Sequence, residues 1–287
     1  MSDGVELVIR RGGNPGGVRL YLSNGNGFAI DGYRVFWEPL LETFDLILFD
    51  MRNHGRNQPS GAGGHHYWQM ASDIGSIVHA VDRRLGHQPS VGVFHSMSAR
   101  AAMKHAIEME WLWDALVLFD PPDVPPPGHD CYEAMRVFEL RLMEWAVGRQ
   151  ETFSSPEELH QSYSSSRAQS RWMAQARSDM ANAIMRPDGN GRYRLSCRRE
   201  LEASIYLAAL TLDLWPAANQ YGGPVKLIGA DPAARGAPPT AAANRALALE
   251  GGYQYEAVPE TGHLLQIERP EACREAMLSF LRKHSLA

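Results

Sequence analysis

Short apolar runs alternate with longer amphipathic stretches along most of this 287-residue chain, and that rhythm constrains the fold more than any single motif. It predicts a mostly parallel sheet with helices on both faces. The expected strands are Val5–Arg10, Val18–Leu22, Leu46–Phe49, Ser90–Phe94, Ala115–Phe119, Val225–Ile228 and Tyr253–Val258. The runs Leu46-Ile47-Leu48-Phe49 and Leu116-Val117-Leu118-Phe119 are apolar at every position, as in strands covered on both faces. Expected helices are Tyr33–Glu42, Trp68–Leu85, Ser98–Glu110, Thr240–Leu249 and Pro270–Lys283. The last opens with a first-turn proline followed by Glu271, a strong helix start.

Between residues 123 and 222 the rhythm breaks. This segment opens with the stiff run Val124-Pro-Pro-Pro-Gly-His129 and reads as helices without strands. Those helices are Tyr132–Val147, Pro156–Ser164, Ser170–Ile184 and Glu200–Leu210, with a turn at Arg186-Pro-Asp-Gly-Asn-Gly-Arg192. A separate helical domain is one reading. The two flanks, however, need each other to complete one sheet, which favours a helical cap (123–222) inserted into one α/β core (1–122 and 223–287).

Composition excludes several function classes. The 28 Lys+Arg and 33 Asp+Glu leave a formal charge of −5, and the arginines are scattered, so neither nucleic acid nor an anionic membrane is an expected partner. No stretch approaches the roughly 20 apolar residues of a membrane-spanning helix. The acidic start, Met-Ser-Asp-Gly, lacks the basic flank of a secretory signal. Cys131, Cys197 and Cys273 are odd in number and far apart, which argues against a disulfide framework or a zinc site. A reduced cytoplasmic protein is expected.

The chemistry is written in chain order. Ser90-Val-Gly-Val-Phe94 runs into His95-Ser96-Met97-Ser98 and then a helix rich in alanine, the layout of a turn that pushes a serine hydroxyl out at a sheet edge. Far downstream, His263 in Val258-Pro-Glu-Thr-Gly-His263 follows the last strand, where a general base for that serine would come from. Upstream, Leu22-Ser-Asn-Gly-Asn-Gly-Phe28 ends the second strand in a glycine-containing turn able to aim a backbone N–H at an oxyanion.

These segments resemble the α/β-hydrolase superfamily over nearly the whole chain. Asn24-Gly25-Asn26-Gly27-Phe28 is similar to its H-G-x oxyanion segment, with Asn for His. Asp50-Met-Arg-Asn-His-Gly-Arg56 is similar to its D-x-R-G-H-G-x-S turn, and Gly262-His263 with Glu268-Arg-Pro-Glu271 to its histidine loop. His95-Ser96-Met97-Ser98 is similar to G-H-S-M-G without the glycines: Phe94 and Ser98 stand in their places. The resemblance implies an α/β-hydrolase fold with a helical cap, Ser96 as nucleophile, His263 as base, and the backbone N–H groups of Asn26 and Met97 as the oxyanion hole. It implies no metal and no cofactor.

The triad acid is open between two residues. Asp231, after the strand preceding the histidine's strand, is preferred, although it lies two residues after Gly229 where the family usually has three. Asp120, at the end of Leu116–Phe119, is the alternative. Other polar residues have plainer readings. Asp50, Arg52 and His54 organise a turn; His65 and His66 are loop polarity, since adjacent residues point apart. His79, His87, His105, His160 and His284 receive no role, and Ser96 could be an ordinary helix cap. Trp145, Trp172, Met173, Met180 and Trp215 are read first as packing within the cap.

The function expected is a serine hydrolase cleaving an ester or related acyl bond of a small, partly apolar substrate. Carbon–carbon bond hydrolysis, thioester or lactone hydrolysis, and acyl transfer are alternatives on the same fold, and a non-catalytic ligand-binding protein is an alternative of another class.

Overall fold

The computed structural model describes residue 1 and residues 3–287. Its strands are β1 (Ile9–Gly13), β2 (Arg19–Ser23), β3 (Asp45–Phe49), β4 (Ser90–His95) and β5 (Ala115–Phe119), then β6 (Thr152–Phe153), β7 (Met185–Pro187) and β8 (Tyr193–Leu195), then β9 (Val225–Gly229) and β10 (Gln254–Ala257). Seven of them form one sheet in the order β1-β3-β2-β4-β5-β9-β10. Only β1 is antiparallel to its neighbour within that sheet. Helices α1 (Arg34–Trp37), α2 (Tyr67–Leu85) and α3 (Met97–Glu108) come from the first half, and α8 (Pro239–Gly251), α9 (Leu265–Glu268) and α10 (Pro270–Lys283) from the end.

Alternation along the strands divides the core. Leu20, Leu22, Leu46, Leu48, Val93 and Val117 pack on one face with Phe36 of α1 and Met277 and Phe280 of α10. Tyr21, Ile47, Phe49, Phe94, Leu116 and Leu118 pack on the other with α2, α3 and α8. Both faces are therefore dry, as the unbroken apolar runs require. Among the described residues no helix is long and apolar enough to cross a membrane.

Strands β5 and β9 are neighbours, with Leu116 opposite Val225, so the residues between them form an excursion from one continuous sheet. The excursion carries α4 (Tyr132–Gly148), α5 (Pro156–Ser165), α6 (Ala174–Ala183) and α7 (Arg199–Ala209). The expectation of helices without strands needs correction, because β6, β8 and β7 form a small antiparallel sheet there. These strands are two or three residues long, too short to show an alternating pattern. Their hairpin is the expected turn, closed by Asp188, whose Oδ1 accepts from the N–H groups of Asn190 and Arg192.

Two further expectations shift. The first strand begins at Ile9 rather than Val5 and runs through Gly12 and Gly13. Gly13, at φ +91°, lies so close to the Phe44 carbonyl that a Cβ would sit 2.2 Å from it. The helix expected over Tyr33–Glu42 is broken into a 3-10 turn at Ile30–Tyr33, α1, and a second 3-10 turn at Glu38–Glu42 containing Pro39, which has no N–H to continue an α-helix.

Candidate active site

Ser96 lies between β4 and α3 at φ 54° and ψ −116°, a conformation that a non-glycine residue adopts only when its surroundings hold it there. The surroundings are specific. The Ser96 N–H donates to the Phe119 carbonyl of β5 at 3.0 Å, and the Ser96 carbonyl accepts from Arg100 N–H at 3.0 Å. Ser98 Oγ donates to the His95 carbonyl at 3.0 Å and accepts from the His95 N–H at 3.2 Å. Ser98 thus ties the turn together from the position where the family has glycine.

The other missing glycine is compensated from within the strand. Phe94 is fully buried, with its ring edge-on to Phe49 and Trp113. Two residues earlier on the same face, a Cβ on Gly92 would lie 2.7 Å from Phe94 Cε2 and 2.7 Å from Leu116 Cδ1. Glycine at position 92 leaves room that the Phe94 ring fills.

His263 meets Ser96. Its Nε2 is 2.9 Å from Ser96 Oγ, and its Nδ1 is 2.6 Å from Asp120 Oδ2. Asp120 is wholly buried at the end of β5. Its Oδ1 also accepts from the Ala230 N–H (3.0 Å) and Asn244 Nδ2 (2.9 Å), and its Oδ2 from Thr240 Oγ1 (2.6 Å). Thr240 and Asn244 are one turn apart on α8 and therefore face the same way. Burial alone would raise the Asp120 carboxyl. The hydrogen bond and charge of His263, with the Thr240 and Ala230 bonds, outweigh it and hold the group below the ordinary carboxylate range. An ionised Asp120 only accepts, so the His263 proton sits on Nδ1 and Nε2 is left to accept from Ser96.

In this geometry the preferred acid, Asp231, does not meet His263. Asp231 Oδ2 accepts from the Glu260 N–H at 2.8 Å and its Oδ1 from the Ala233 N–H at 2.8 Å, so it closes two turns. Those backbone bonds, Glu260 first, lower its carboxyl. The alternative, Asp120, is the one bonded to His263, because β5 lies between β4 and β9 and delivers its C-terminal end beside the serine turn.

The glycine-containing segment after β2 is held from several sides. Asn24 Oδ1 accepts from the Met51 N–H at 2.9 Å, and its Nδ2 donates to the carbonyls of Gly25 and Phe28. Asn26 Nδ2 donates to the Glu202 carbonyl of α7 at 2.8 Å, joining this loop to the excursion. Among the described residues, neither the Asn26 nor the Met97 backbone N–H has a protein acceptor. Met97 is the first residue of α3, where an N–H has no intrahelical partner.

Three aromatic side chains that carried no site role in the sequence reading brace this arrangement. The Gly25 N–H donates to Tyr33 Oη (3.2 Å), which bonds His95 Nδ1 (2.8 Å), and His95 Nε2 donates to the His263 carbonyl (2.8 Å). Burial pushes the His95 ring down to about 3, so it stays neutral and can accept at one nitrogen while donating at the other. His54 works the same way. Its Nδ1 donates to the Arg52 carbonyl at 2.8 Å and its Nε2 accepts from the Gly27 N–H at 3.0 Å, with burial pushing the ring down to about 4.

The D-x-R segment organises a turn, as expected. Asp50 accepts from the N–H groups of Ile30 and Arg56, and Arg52 makes a two-pronged pair with Asp73. The histidine pair splits. His66 caps α2 by accepting from the Gln69 N–H, whereas His65 is buried and stacked on His54, not loop polarity.

A cavity of about 660 Å³ opens onto Ser96 and His263, with Asn26 on its wall. Most of its apolar lining comes from the excursion, including Phe138, Leu142, Trp145 and Trp172. Two residues read first as packing, Trp145 and Trp172, are therefore wall residues. Met180 does pack, against Gly32, and Trp215 Nε1 bonds Glu250.

The sheet topology and the strained serine turn together define an α/β-hydrolase fold. The family model of the alpha/beta hydrolase family matches residues 20–276, and the chain belongs to that family. No curated protein sequence matches it. Among solved structures it is similar to an E-2-(acetamidomethylene)succinate hydrolase, with a TM-score of 0.76, 21% identity, and coverage of 97% of this chain and 96% of that one. It is also similar to a thermophilic esterase from Thermogutta terrifontis (TM-score 0.69, 19% identity, 98% and 94% coverage). A thioesterase domain from the curacin biosynthetic pathway gives a TM-score of 0.67 at 16% identity, with 96% of each chain covered. At these identities the likeness shows the fold.

Proposed function

We propose that this protein is a serine hydrolase that cleaves an ester or closely related acyl bond of a small, partly apolar molecule. The observation that carries the reading is the unbroken hydrogen-bonded line from Ser96 Oγ through the His263 ring to Asp120. In this reading Ser96 Oγ attacks the substrate carbonyl carbon as His263 Nε2 takes its proton, and Asp120 stabilises the resulting imidazolium. The N–H groups of Asn26 and Met97 receive the charge that develops on the carbonyl oxygen. His263 then gives its proton to the leaving group. A water activated by the same imidazole attacks the acyl-enzyme, releasing the acid and restoring Ser96. Each step uses groups of this chain and needs no metal or organic cofactor.

Residues 123–222 act as a cap on this core in the same reading, since most of the residues lining the cavity that holds Ser96 come from them. Their apolar side chains fit an apolar portion of the substrate. An esterase and a thioesterase domain among the similar structures accord with acyl-bond chemistry on this scaffold.

The test is labelling with a fluorophosphonate, which reacts only with an activated serine, followed by peptide mapping and assay on a panel of acyl esters. Labelling at Ser96, and loss of both labelling and hydrolysis in Ser96→Ala, are expected. A Ser96→Ala protein that keeps most of its turnover would refute the assignment.

A further inference from the structure

Behind the serine turn lies a buried ionic cluster that the hydrolytic steps do not use. Arg100 of α3 is fully buried, and its Nη2 donates to Glu139 Oε1 of α4 at 2.7 Å while its Nη1 donates to Tyr67 Oη at 3.1 Å. Asp123 lies on the other side, with Oδ1 3.4 Å from Arg100 Nε, but neither of its carboxyl oxygens has a hydrogen-bond partner. Both carboxyl side chains are about 1% exposed. One guanidinium therefore faces two buried carboxyl groups, and in so dry a place the second negative charge is strongly disfavoured. Burial pushes both groups up to about 7 against the pull of Arg100.

Hydrogen bonding decides which carboxyl keeps the charge. Glu139 holds the short, charge-assisted bond to Arg100, whereas Asp123 has only the misaligned contact, so the proton belongs on Asp123 and the charge on Glu139. Of the two, Glu139 alone lines the cavity that holds Ser96 and His263. Its Oε1 is occupied by Arg100, and its Oε2 is buried without a partner. A buried carboxylate oxygen with no donor is costly to keep in a folded protein, and the residue that carries this one borders the binding cavity.

We propose that Glu139 is a specificity-determining residue whose Oε2 accepts a hydrogen bond from a hydroxyl, amino or amide N–H group on the substrate. The inference rests on the hydrolase reading and narrows its substrate class to acyl compounds carrying such a donor on the part seated under α4. Arg100 positions Glu139 and keeps it charged, and Asp123 takes up the proton that the cluster must hold. A substrate lacking the donor leaves Oε2 unpaired, and discrimination of about ten- to a hundredfold follows from the loss of one hydrogen bond to a charged group.

The experiment compares labelling rates for matched alkyl fluorophosphonates ending in a hydroxyl, a methyl or a methyl ketone, over a series of chain lengths. At some length the native protein should react about ten- to a hundredfold faster with the hydroxyl-ended probe than with its methyl-ended partner. Glu139→Gln keeps an oxygen for Arg100 and presents an amide donor to the cavity. That variant should lose the preference for the hydroxyl and gain on the methyl ketone, which only accepts. Equal rates for hydroxyl and methyl ends at every length in the native protein overturn the proposal, whether or not the variant folds. An unchanged preference in folded Glu139→Gln overturns it too. Failure of every probe to label Ser96 instead rejects the hydrolase reading, and this proposal falls with it.

Discussion

His95 Nε2 donates to the main-chain carbonyl of His263 at 2.8 Å, so the residue preceding Ser96 fixes the loop that carries the ring facing Ser96. The same imidazole reaches the segment after β2 through Tyr33, whose hydroxyl joins His95 Nδ1 to the Gly25 N–H. Three segments distant in sequence are thereby held by one neutral ring.

That linkage makes Tyr33→Phe informative. The substitution removes one buried oxygen and leaves the Gly25 N–H and His95 Nδ1 without their partner, a loss of about 1–3 kcal/mol in stability. Urea denaturation measures it. The fluorophosphonate labelling rate should fall as well, because the Asn26 N–H is carried by the same short segment. Unchanged stability and labelling would mean that the linkage bears no load.

Gly92 and Phe94 share one space, so Gly92→Ala should be destabilising. Its Cβ would lie 2.7 Å from the Phe94 ring, and overpacking of this kind costs about 1–3 kcal/mol. Combining it with Phe94→Leu, which vacates part of the space, should cost less than the two changes added together. Strict additivity in denaturation midpoints would show that the two positions do not compensate each other.

His54 gives a pH dependence with a defined sign. Its folded value is depressed to about 4 by burial, against an ordinary 6.5, so between those limits the unfolded chain binds more protons. Its contribution is present above about pH 6.5 and is lost as the pH falls toward 4. Glutamine at this position has no proton to gain. The stability of native protein relative to His54→Gln should therefore shrink by about 2 kcal/mol from pH 7 to pH 5, read from urea unfolding of both proteins. A difference that is constant over that range would show that the folded ring titrates normally.

The sheet and the serine–histidine facing were legible in the sequence for different physical reasons. Strands buried on both faces must be apolar throughout, and Ala115–Phe119 was placed residue for residue; α10, marked by Pro270 at its start, was placed equally well. Ser96 and His263 each follow a strand, and strand ends on one edge of a parallel sheet converge. Which aspartate joins them depends on the lateral order of the strands. Neither Asp120 nor Asp231 carries a local sign of being next to His263, and the odd spacing after Gly229 was the one hint against Asp231. The braces were less visible still. Tyr33, Thr240 and Asn244 act across sequence separations of 62, 120 and 124 residues, with no local pattern to mark them. Gly12 and Gly13 hid the true extent of β1, because glycine argues against a strand unless another backbone passes close by.

The line Ser96–His263–Asp120 is tested most directly by the rate of fluorophosphonate labelling at Ser96 in Asp120→Asn and Asp231→Asn. An amide at 120 cannot serve all the donors that now converge there, and it favours the wrong tautomer of His263. Labelling and ester turnover should fall by roughly 10⁴, the loss seen when a triad acid is replaced by its amide. Asp231→Asn should label within a few-fold of the native rate, since it closes exposed turns. Native-like labelling in a folded Asp120→Asn, or a severe loss confined to Asp231→Asn, would contradict the account.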